Sequence, residues 1–188
     1  MPRKTPVDLQ RACMLLHPMH TVLVTCRGRT GKPNIITLAW AMPTSIDPPL
    51  VAISISPKRL SHKLITESKE FIVNIPTMNL LEATLFCGRR SGREHDKFKE
   101  AGFTRVRARK LKAPIIKECV AHLECRLHSQ HTTGDHTIFV GQIAQAYANN
   151  DAFKDGYDLK KAKMIFHLGG NRFATLNPKI STPKLQPE

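Results

Sequence analysis

The chain has 188 residues, 41% of them hydrophobic, so it is long and apolar enough to bury a core, and disorder is not the default. Its 29 lysines and arginines outnumber 15 aspartates and glutamates, giving a formal charge of +14 and suggesting an anionic partner. The longest apolar runs, such as TVLVTC and FIVNIP, fall far short of the roughly 20 residues of a membrane-spanning helix, which excludes a membrane-spanning protein.

The amino terminus and the cysteines predict the cellular compartment. The first residues are basic, but no apolar stretch ending in small residues at a cleavage site follows them. The five cysteines are an odd number and include no C-x-x-C pair, which favours reduced thiols over a disulfide framework or a zinc ribbon. We therefore expect a cytoplasmic protein.

The first elements in chain order are a helix and a strand pair. The helix is predicted to begin after a cap near Asp8. The segment HTVLVTCRGRTGKPNIITLAW then predicts strand, turn and strand, with Gly28, Gly31 and Pro33 in the turn.

A third strand, a short helix and a fourth strand follow. In PPLVAISIS, Val51, Ile53 and Ile55 alternate with small residues, which is the period of a half-buried strand. RLSHKLITESK has a helical pattern, and EFIVNIP predicts the next strand, closed by its proline.

Two more helices are predicted in the middle of the chain. MNLLEATLFCG has Thr77 as its expected N-cap and Gly88 as its expected stop. SGREHDKFKEAGF begins with Ser91 and Glu94 at capping-box spacing and ends at Gly102.

The carboxyl-terminal third predicts a long hairpin around TTGD and a short strand at KMIFHLGG. Strands recur at short spacing without a strand–helix–strand rhythm. The fold class is therefore expected to be mainly β, a small antiparallel β-barrel with peripheral helices, in a single domain over residues 1–188.

The densest basic run raises the question of nucleic acid. Arg105, Arg107 and Arg109 would share one face of an extended strand, where they could hold a polyanion or simply solubilise an edge strand. Aromatic residues are only 6% of the chain and are not interleaved with these charges, so a stacking platform for single strands is poorly supported.

One cluster has the residue types of a metal site. His122, Cys125, His128 and His131 recur at intervals of three. Their surroundings have strand periodicity, and residues three apart on a strand point to opposite faces, so we expect no metal site.

Four places carry candidate chemistry, and the first is a phosphate site. Ser54 and Ser56 end a strand that runs into Arg59, Ser61 and His62 at the start of a helix. Hydroxyls, a guanidinium and free helix amides can converge on phosphate oxygens, although capping serines and a solvated arginine would also explain the pattern.

The second place is a strand that breaks into a loop. Asn34, Thr37 and Trp40 are spaced by three before a Met-Pro-Thr sequence, which suits the edge of a pocket for a planar ligand. The alternative is a tryptophan buried in the core.

The third and fourth places are FCGRRSGREHDKF and TTGDHTIFVGQI. FCGRRSGREHDKF offers backbone donors and positive charge, with Lys97 as a further cation, but a charged surface turn has the same pattern. In TTGDHTIFVGQI, His136 follows the turn directly and is either a ligand donor or a structural histidine.

In their order and spacing, these segments resemble the flavin reductase-like family of FMN-binding split-barrel proteins, and most of all its flavoredoxin and archaeal-type branch. The resemblance covers roughly residues 17 to 173. It implies a split β-barrel homodimer that holds FMN non-covalently near the subunit interface.

The resemblance also implies site residues. Positions that match the family's flavin-binding segments are Asn34, Thr37, Ala39, Trp40, Ser54, Ser56, Arg59 and Ser61, then Cys87 of the CG pair, Ser91 of the SG turn, Lys97, and Phe173 in the ending LGGNRFATL. His136 matches a histidine near the flavin or the nicotinamide and is the candidate catalytic residue. Cys87 could equally pack in the barrel.

The residues and the resemblance are compatible with three functions. The leading one is an FMN-dependent oxidoreductase that takes electrons from NAD(P)H or from an acidic redox protein such as a ferredoxin. The second is a non-catalytic FMN-binding or storage protein. The third, a basic nucleic-acid-binding barrel, is the least supported.

Overall fold

Antiparallel strands dominate the structure, a computed structural model that describes residues 2–183. The mainly β fold class is confirmed. The strands of this region are β1 (Met19–His20), β2 (Val22–Arg27), β3 (Pro33–Leu38), β4 (Ala41–Ser45), β5 (Leu50–Ile55), β6 (Glu70–Ile75), β7 (Arg105–Arg107), β8 (Pro114–Ile116), β9 (Ala121–Thr133), β10 (His136–Ala148), β11 (Phe166–Gly169) and β12 (Arg172–Ala174).

Short helices lie between the strands. The α-helices of the described region are α1 (Leu60–Ser68), α2 (Leu81–Arg89) and α3 (Lys97–Glu100), and its 3-10 helices are Leu9–Leu16 and Met78–Leu80. Among residues 2–183, no helix has the length and apolar character needed to cross a membrane.

A seven-stranded sheet in the order β3-β2-β6-β9-β10-β5-β4 forms the body of the molecule. Its longest ladder is the β9–β10 hairpin, which turns at Gly134 and Asp135, as the TTGD signal predicts. β10 then pairs with β5, so that Thr137 lies opposite Ile55. The tip of the hairpin is therefore next to the carboxyl end of β5.

The main core lies against this sheet. It draws Val24, Ile53, Phe71 and Phe139 from four different strands. Gly141 allows the close approach of two strands, because a Cβ there would lie 2.5 Å from Cζ of Phe71. Val51 and Ile55 of β5 lie in the same core as Ile53, so the alternating sequence pattern predicted the buried face of this strand correctly.

A second core holds the helices against the sheet. Cys87 of α2 and Phe98 of α3 pack with Leu23 and Ile35 from the sheet. The hydroxyl of Thr37 also donates to the carbonyl oxygen of Thr84 at 2.6 Å. These contacts place the α2–α3 connection beside β3.

The predicted helix boundaries need three corrections. The amino-terminal helix is a 3-10 helix, although Asp8 caps it by accepting from the Gln10 backbone N–H at 2.9 Å. Thr77 is the N-cap residue of the 3-10 helix Met78–Leu80, as predicted, but its side chain makes no capping hydrogen bond and α2 begins only at Leu81. Gly88 lies inside α2, where a Cβ would come within 3.2 Å of Thr37, so its role is close packing rather than a stop.

The predicted capping box is wrong. α3 begins after Asp96, whose carboxylate accepts from the Lys99 backbone N–H at 3.2 Å. The Ser91 hydroxyl instead accepts from the Arg93 backbone N–H in a turn before the helix. The expected end at Gly102 is confirmed, since that residue has a φ of +71°.

The predicted strand with three alternating arginines is confirmed for two of them. Arg105 and Arg107 are exposed on β7, but Arg109 lies beyond the strand, with its guanidinium 4.4 Å from the centroid of the Tyr147 ring.

The spaced histidines and cysteine of β9 do not converge. His122 bonds to Asn74 and Cys125 is buried in the main core, whereas His128 and His131 are exposed. No group of three potential metal ligands was found among residues 2–183.

Candidate functional site

A cleft of about 710 Å³ opens where β3, β5, the α2–α3 connection and the tip of the β9–β10 hairpin meet. These elements come from distant parts of the chain and are brought together by the strand order. Of the predicted site residues, the cleft is lined by Asn34, Thr37, Ala39, Trp40, Ser54, Ser56, Arg59, Ser61, Cys87, Ser91, Lys97 and His136.

The β5–α1 connection supplies anion-binding groups to one side of the cleft. Ser54 and Ser56 lie at the end of β5, and the exposed Arg59 is the N-cap residue of α1. The Arg59 side chain makes no capping hydrogen bond, so it does not occupy the backbone N–H groups of the first turn of α1. Free amides, hydroxyls and a guanidinium are therefore available together to a phosphate.

The floor of the cleft is a hydrogen-bonded contact between β3 and α1. The Asn34 amide donates to the Ser61 hydroxyl at 2.9 Å, and both side chains are buried. Gly92 lies directly on the Asn34 amide, and a Cβ there would overlap it. The glycine after Ser91 is thus needed for close approach rather than for a left-handed backbone.

Lys97 is a buried cation in this floor. Its Nζ donates to the carbonyl oxygens of Ile35 at 2.8 Å and Cys87 at 2.7 Å, and only 6% of the residue is exposed. No carboxylate of residues 2–183 lies within 4.0 Å of it. Burial lowers the pKa of Lys97, with the nearby Arg59 charge acting in the same direction. An anion in the cleft would compensate this charge.

Cys87 is a packing residue by its surroundings. Its side chain is buried with Ile35 and Phe98. Burial raises the pKa of the Cys87 thiol to about 12, and the charge of Lys97 opposes this only in part. The thiol is therefore protonated at neutral pH and is not an activated nucleophile.

The cleft rim carries an aromatic pair. Trp40 is 41% exposed, so the alternative of a core tryptophan is wrong. Its ring centroid lies 4.9 Å from that of His136, whose Nδ1 lies 2.7 Å from Oδ1 of Asp135. The hydrogen bond from His136 lowers the pKa of Asp135. The exposed indole offers a flat apolar face, and the imidazole beside it is tilted by 42° to that face.

Phe173 is not in the main cleft. It lines an adjoining recess of about 320 Å³, together with Thr37, Ala39 and His167. Its ring centroid lies 5.2 Å from that of His167. Because His167 also lines the main cleft, Phe173 contacts a wall residue rather than the cleft itself.

The sequence gives no local signal for one wall of the cleft. Cys13, Met14 and His17 line it from the amino-terminal 3-10 helix and the residue after it, opposite the end of β11. Nδ1 of His17 lies 2.9 Å from the carbonyl oxygen of His167. Pairing of Met19 with His167, which are far apart in the chain, creates this wall.

The charge of the cleft is one-sided. The further cations on its lining are Lys58, Arg89, Arg90 and Arg93. Within the described residues, Asp135 is the one carboxylate on the lining, and it is bonded to His136. The cleft as a whole therefore favours an anionic ligand.

Comparison with known proteins agrees with this picture. Residues 14–170 match the family described as flavin reductase like domain. An uncharacterised protein of Archaeoglobus fulgidus is 40% identical over 161 residues, which cover 85% of this chain and 89% of that protein. An NADH-dependent FAD reductase of Streptomyces globisporus is 31% identical over 135 residues, 69% of each chain.

A solved structure has the same fold. The flavoredoxin of Methanosarcina acetivorans is 26% identical, with a TM-score of 0.86 over 96% of this chain and 95% of that chain. These relationships support a flavin cofactor and flavin-related oxidoreductase chemistry. The chain therefore belongs to the flavin reductase-like family and has the fold of its flavin-binding split-barrel proteins.

Proposed function

We propose that this protein is an FMN-dependent oxidoreductase, a flavin reductase or flavoredoxin-like carrier, that accepts electrons from NAD(P)H or from an acidic redox protein. The observation that carries this proposal is Lys97, a buried ammonium without a carboxylate partner in the described residues, on the floor of a cleft rich in arginine. A bound flavin would supply hydride and single-electron chemistry, and the protein would supply position and electrostatics.

The donor set of the cleft fits FMN. Ser54, Ser56, Arg59 and the first turn of α1 would hold the phosphate. Lys97 uses two of its three N–H groups on carbonyl oxygens and has one left for an anionic or carbonyl oxygen of the ligand. Trp40 and His136, which contact each other, would lie together along one side of a planar ring system at the rim.

FMN is favoured over FAD because the β5–α1 connection forms one compact phosphate site. The FAD reductase activity of the Streptomyces relative makes FAD the direct competitor. Identification of the flavin released from the protein by heat decides between the two.

A homodimer is part of the proposal. Edge strand β4 pairs with β5 alone among the described strands, and Met42 on it is 59% exposed. The nearby Ile46 is 95% exposed. A second copy would cover these apolar side chains beside the cleft, and light scattering would give twice the mass of one chain.

The cytoplasm remains the expected compartment. All five cysteines are free, and four of them are buried. Free thiols in these positions are typical of a reducing compartment.

The decisive experiment is an anaerobic spectral titration of the purified protein reconstituted with FMN. We expect an oxidised-flavin spectrum that NADH or NADPH bleaches. Bound flavin that no donor bleaches at a useful rate would point to the storage alternative. A protein that stays colourless after reconstitution, and is retained on DNA in a salt-dependent manner, would contradict the proposal.

A further inference from the structure

A second basic surface lies outside the cleft, and we call it the basic groove. It consists of two recesses of about 390 and 400 Å³ that share Gly31, Pro33 and Arg105. Its cationic lining residues are Arg27, Lys32, Lys99, Arg105, Arg107 and Lys112.

The charge of the basic groove is not neutralised within the described residues. None of its six cations lies within 4.0 Å of a carboxylate there. Asp96 is the one acidic lining residue, and its side chain already accepts the Lys99 backbone N–H. Uncompensated like charges repel one another, so the arrangement lowers its energy when an anionic surface covers it.

Hydrogen bonds and strand pairing hold the basic groove in place. Oε1 of Glu70 accepts from the backbone N–H groups of Lys112 at 3.0 Å and Ala113 at 2.8 Å. The Arg27 guanidinium donates to the carbonyl oxygen of Lys112 at 3.4 Å. Arg105 and Arg107 project from β7, which pairs with the buried strand β8. The backbone that carries most of the cations is therefore ordered before any partner binds.

The basic groove adjoins the cleft. Pro33 lines the groove and Asn34 lines the cleft. In the same way, Asp96 lines the groove and Lys97 the cleft. The groove and the cleft therefore lie on either side of β3 and of the start of α3. A partner in the groove would sit close to a ligand bound at Lys97.

The residues that line the basic groove indicate the class of its partner. Small-molecule sites are concave and mostly apolar, whereas this groove is edged by exposed, long cationic side chains. Phe98, the aromatic residue of its lining, is buried in the second core and offers no base-stacking surface. A folded protein with an acidic face fits these features better than a nucleotide or a nucleic acid.

We infer that the basic groove is the docking surface for an acidic electron-carrier protein, which exchanges electrons with the flavin of the adjoining cleft. This inference rests on the proposed function. Reduction of one flavin takes two electrons, so a one-electron carrier would dock twice, leave oxidised each time, and solvent would supply the protons.

The test compares two double variants with the same change in net charge. Arg105→Glu/Arg107→Glu alters the groove, and Lys160→Glu/Lys161→Glu alters an exposed basic pair outside both the groove and the cleft. Binding of an acidic [2Fe–2S] ferredoxin is measured by calorimetry, and its electron exchange with the flavin by stopped flow, at about 0.02 and 0.2 M salt. Flavin content and reduction by dithionite are measured on the same samples.

We expect the groove variant to weaken ferredoxin binding about tenfold or more, the control variant less than about threefold, and high salt to weaken wild-type binding. Flavin content and dithionite reduction should be unchanged. Arg105→Gln/Arg107→Gln should give a smaller loss in the same direction and guards against a folding defect. Equal binding in all variants, or tighter groove-dependent binding of a short DNA duplex than of ferredoxin, would overturn the inference. Loss of flavin from wild-type protein would instead overturn the proposed function.

Discussion

The ammonium group of Lys97 donates a hydrogen bond to the carbonyl oxygen of Cys87 over 2.7 Å. This contact ties α3 to the end of α2 and holds the cation in the floor of the cleft. Cys87 therefore contributes its backbone carbonyl oxygen to the site and its side chain to the second core. The Cys87 side chain packs in the second core, which is the alternative that the sequence left open for this residue.

Replacement of Lys97 by methionine tests the buried charge. We expect Lys97→Met to weaken FMN binding about tenfold or more, close to 1.4 kcal/mol, because a charge-assisted hydrogen bond to the ligand is lost. Lys99→Met, an exposed change on the same helix, should bind FMN as the wild type does. Fluorescence titration of the apoprotein measures both, and equal affinities would show that Lys97 does not face the flavin.

Arg59→Gln tests the phosphate site. FMN carries a phosphate that riboflavin lacks, so the variant should lose most of its preference for FMN while riboflavin binding changes little. The control is Arg29→Gln, which alters an exposed arginine outside the cleft. The ratio of the two dissociation constants is the readout. A preference that survives Arg59→Gln would place the phosphate elsewhere.

Gly92→Ala tests the floor of the cleft without touching a charge. The new methyl group would collide with the Asn34 amide, which donates to Ser61 at 2.9 Å. We expect flavin retention through gel filtration to fall severalfold, with a loss of about 1–3 kcal/mol in unfolding free energy. Gly156→Ala, where a Cβ meets nothing within 4 Å, should have neither effect.

Glu124 is a buried structural anion outside the cleft. It accepts from the backbone N–H groups of Arg109 and Lys110 at 2.8 Å and of Leu111 at 2.9 Å, and from the Tyr147 hydroxyl at 3.1 Å. Burial acts to raise the pKa of Glu124, but these donors outweigh it and the net pKa is lowered.

Glu124→Gln should therefore cost about 3 kcal/mol of unfolding free energy, because one amide oxygen cannot satisfy the same donors. Urea denaturation measures the loss. Glu94→Gln, an exposed change, should cost less than about 0.5 kcal/mol. Similar midpoints for the two variants would show that Glu124 does not hold the 109–111 segment.

His122 makes stability depend on pH. Burial lowers its pKa from 6.5 to about 4, with Glu124 opposing, and Nδ1 lies 2.9 Å from Oδ1 of Asn74. The unfolded chain binds this proton at a higher pH than the folded protein, so stability is full above about pH 7 and falls as the pH drops toward 4.

Between pH 7 and pH 5, we expect this histidine to account for a loss of about 2 kcal/mol. Urea denaturation of wild type and His122→Gln at both pH values isolates the contribution. Burial also lowers the pKa of His20 and His62, so the variant should keep part of the pH dependence. An unchanged pH dependence in His122→Gln would contradict this account.

Local patterns predicted the secondary structure where a segment decides its own conformation. The alternation of Val51, Ile53 and Ile55 matches β5, and the TTGD turn matches the hairpin tip. One error falls where a distant contact intervenes, because Gly88 lies inside α2 and packs on Thr37 of β3. The other error is local, because Asp96 rather than Ser91 supplies the N-cap of α3.

The sequence by itself determined the strand pattern, the supply of site residues and a charge of +14, because periodicity and composition are local or additive properties. Only the tertiary structure decided which cations lack a carboxylate partner, how Lys97 is buried, and that His17 and His167 close a wall of the cleft. Those features depend on the pairing of strands far apart in the chain, for which no single segment carries a signal. The same pairing places the basic groove and the cleft on two sides of β3 and α3.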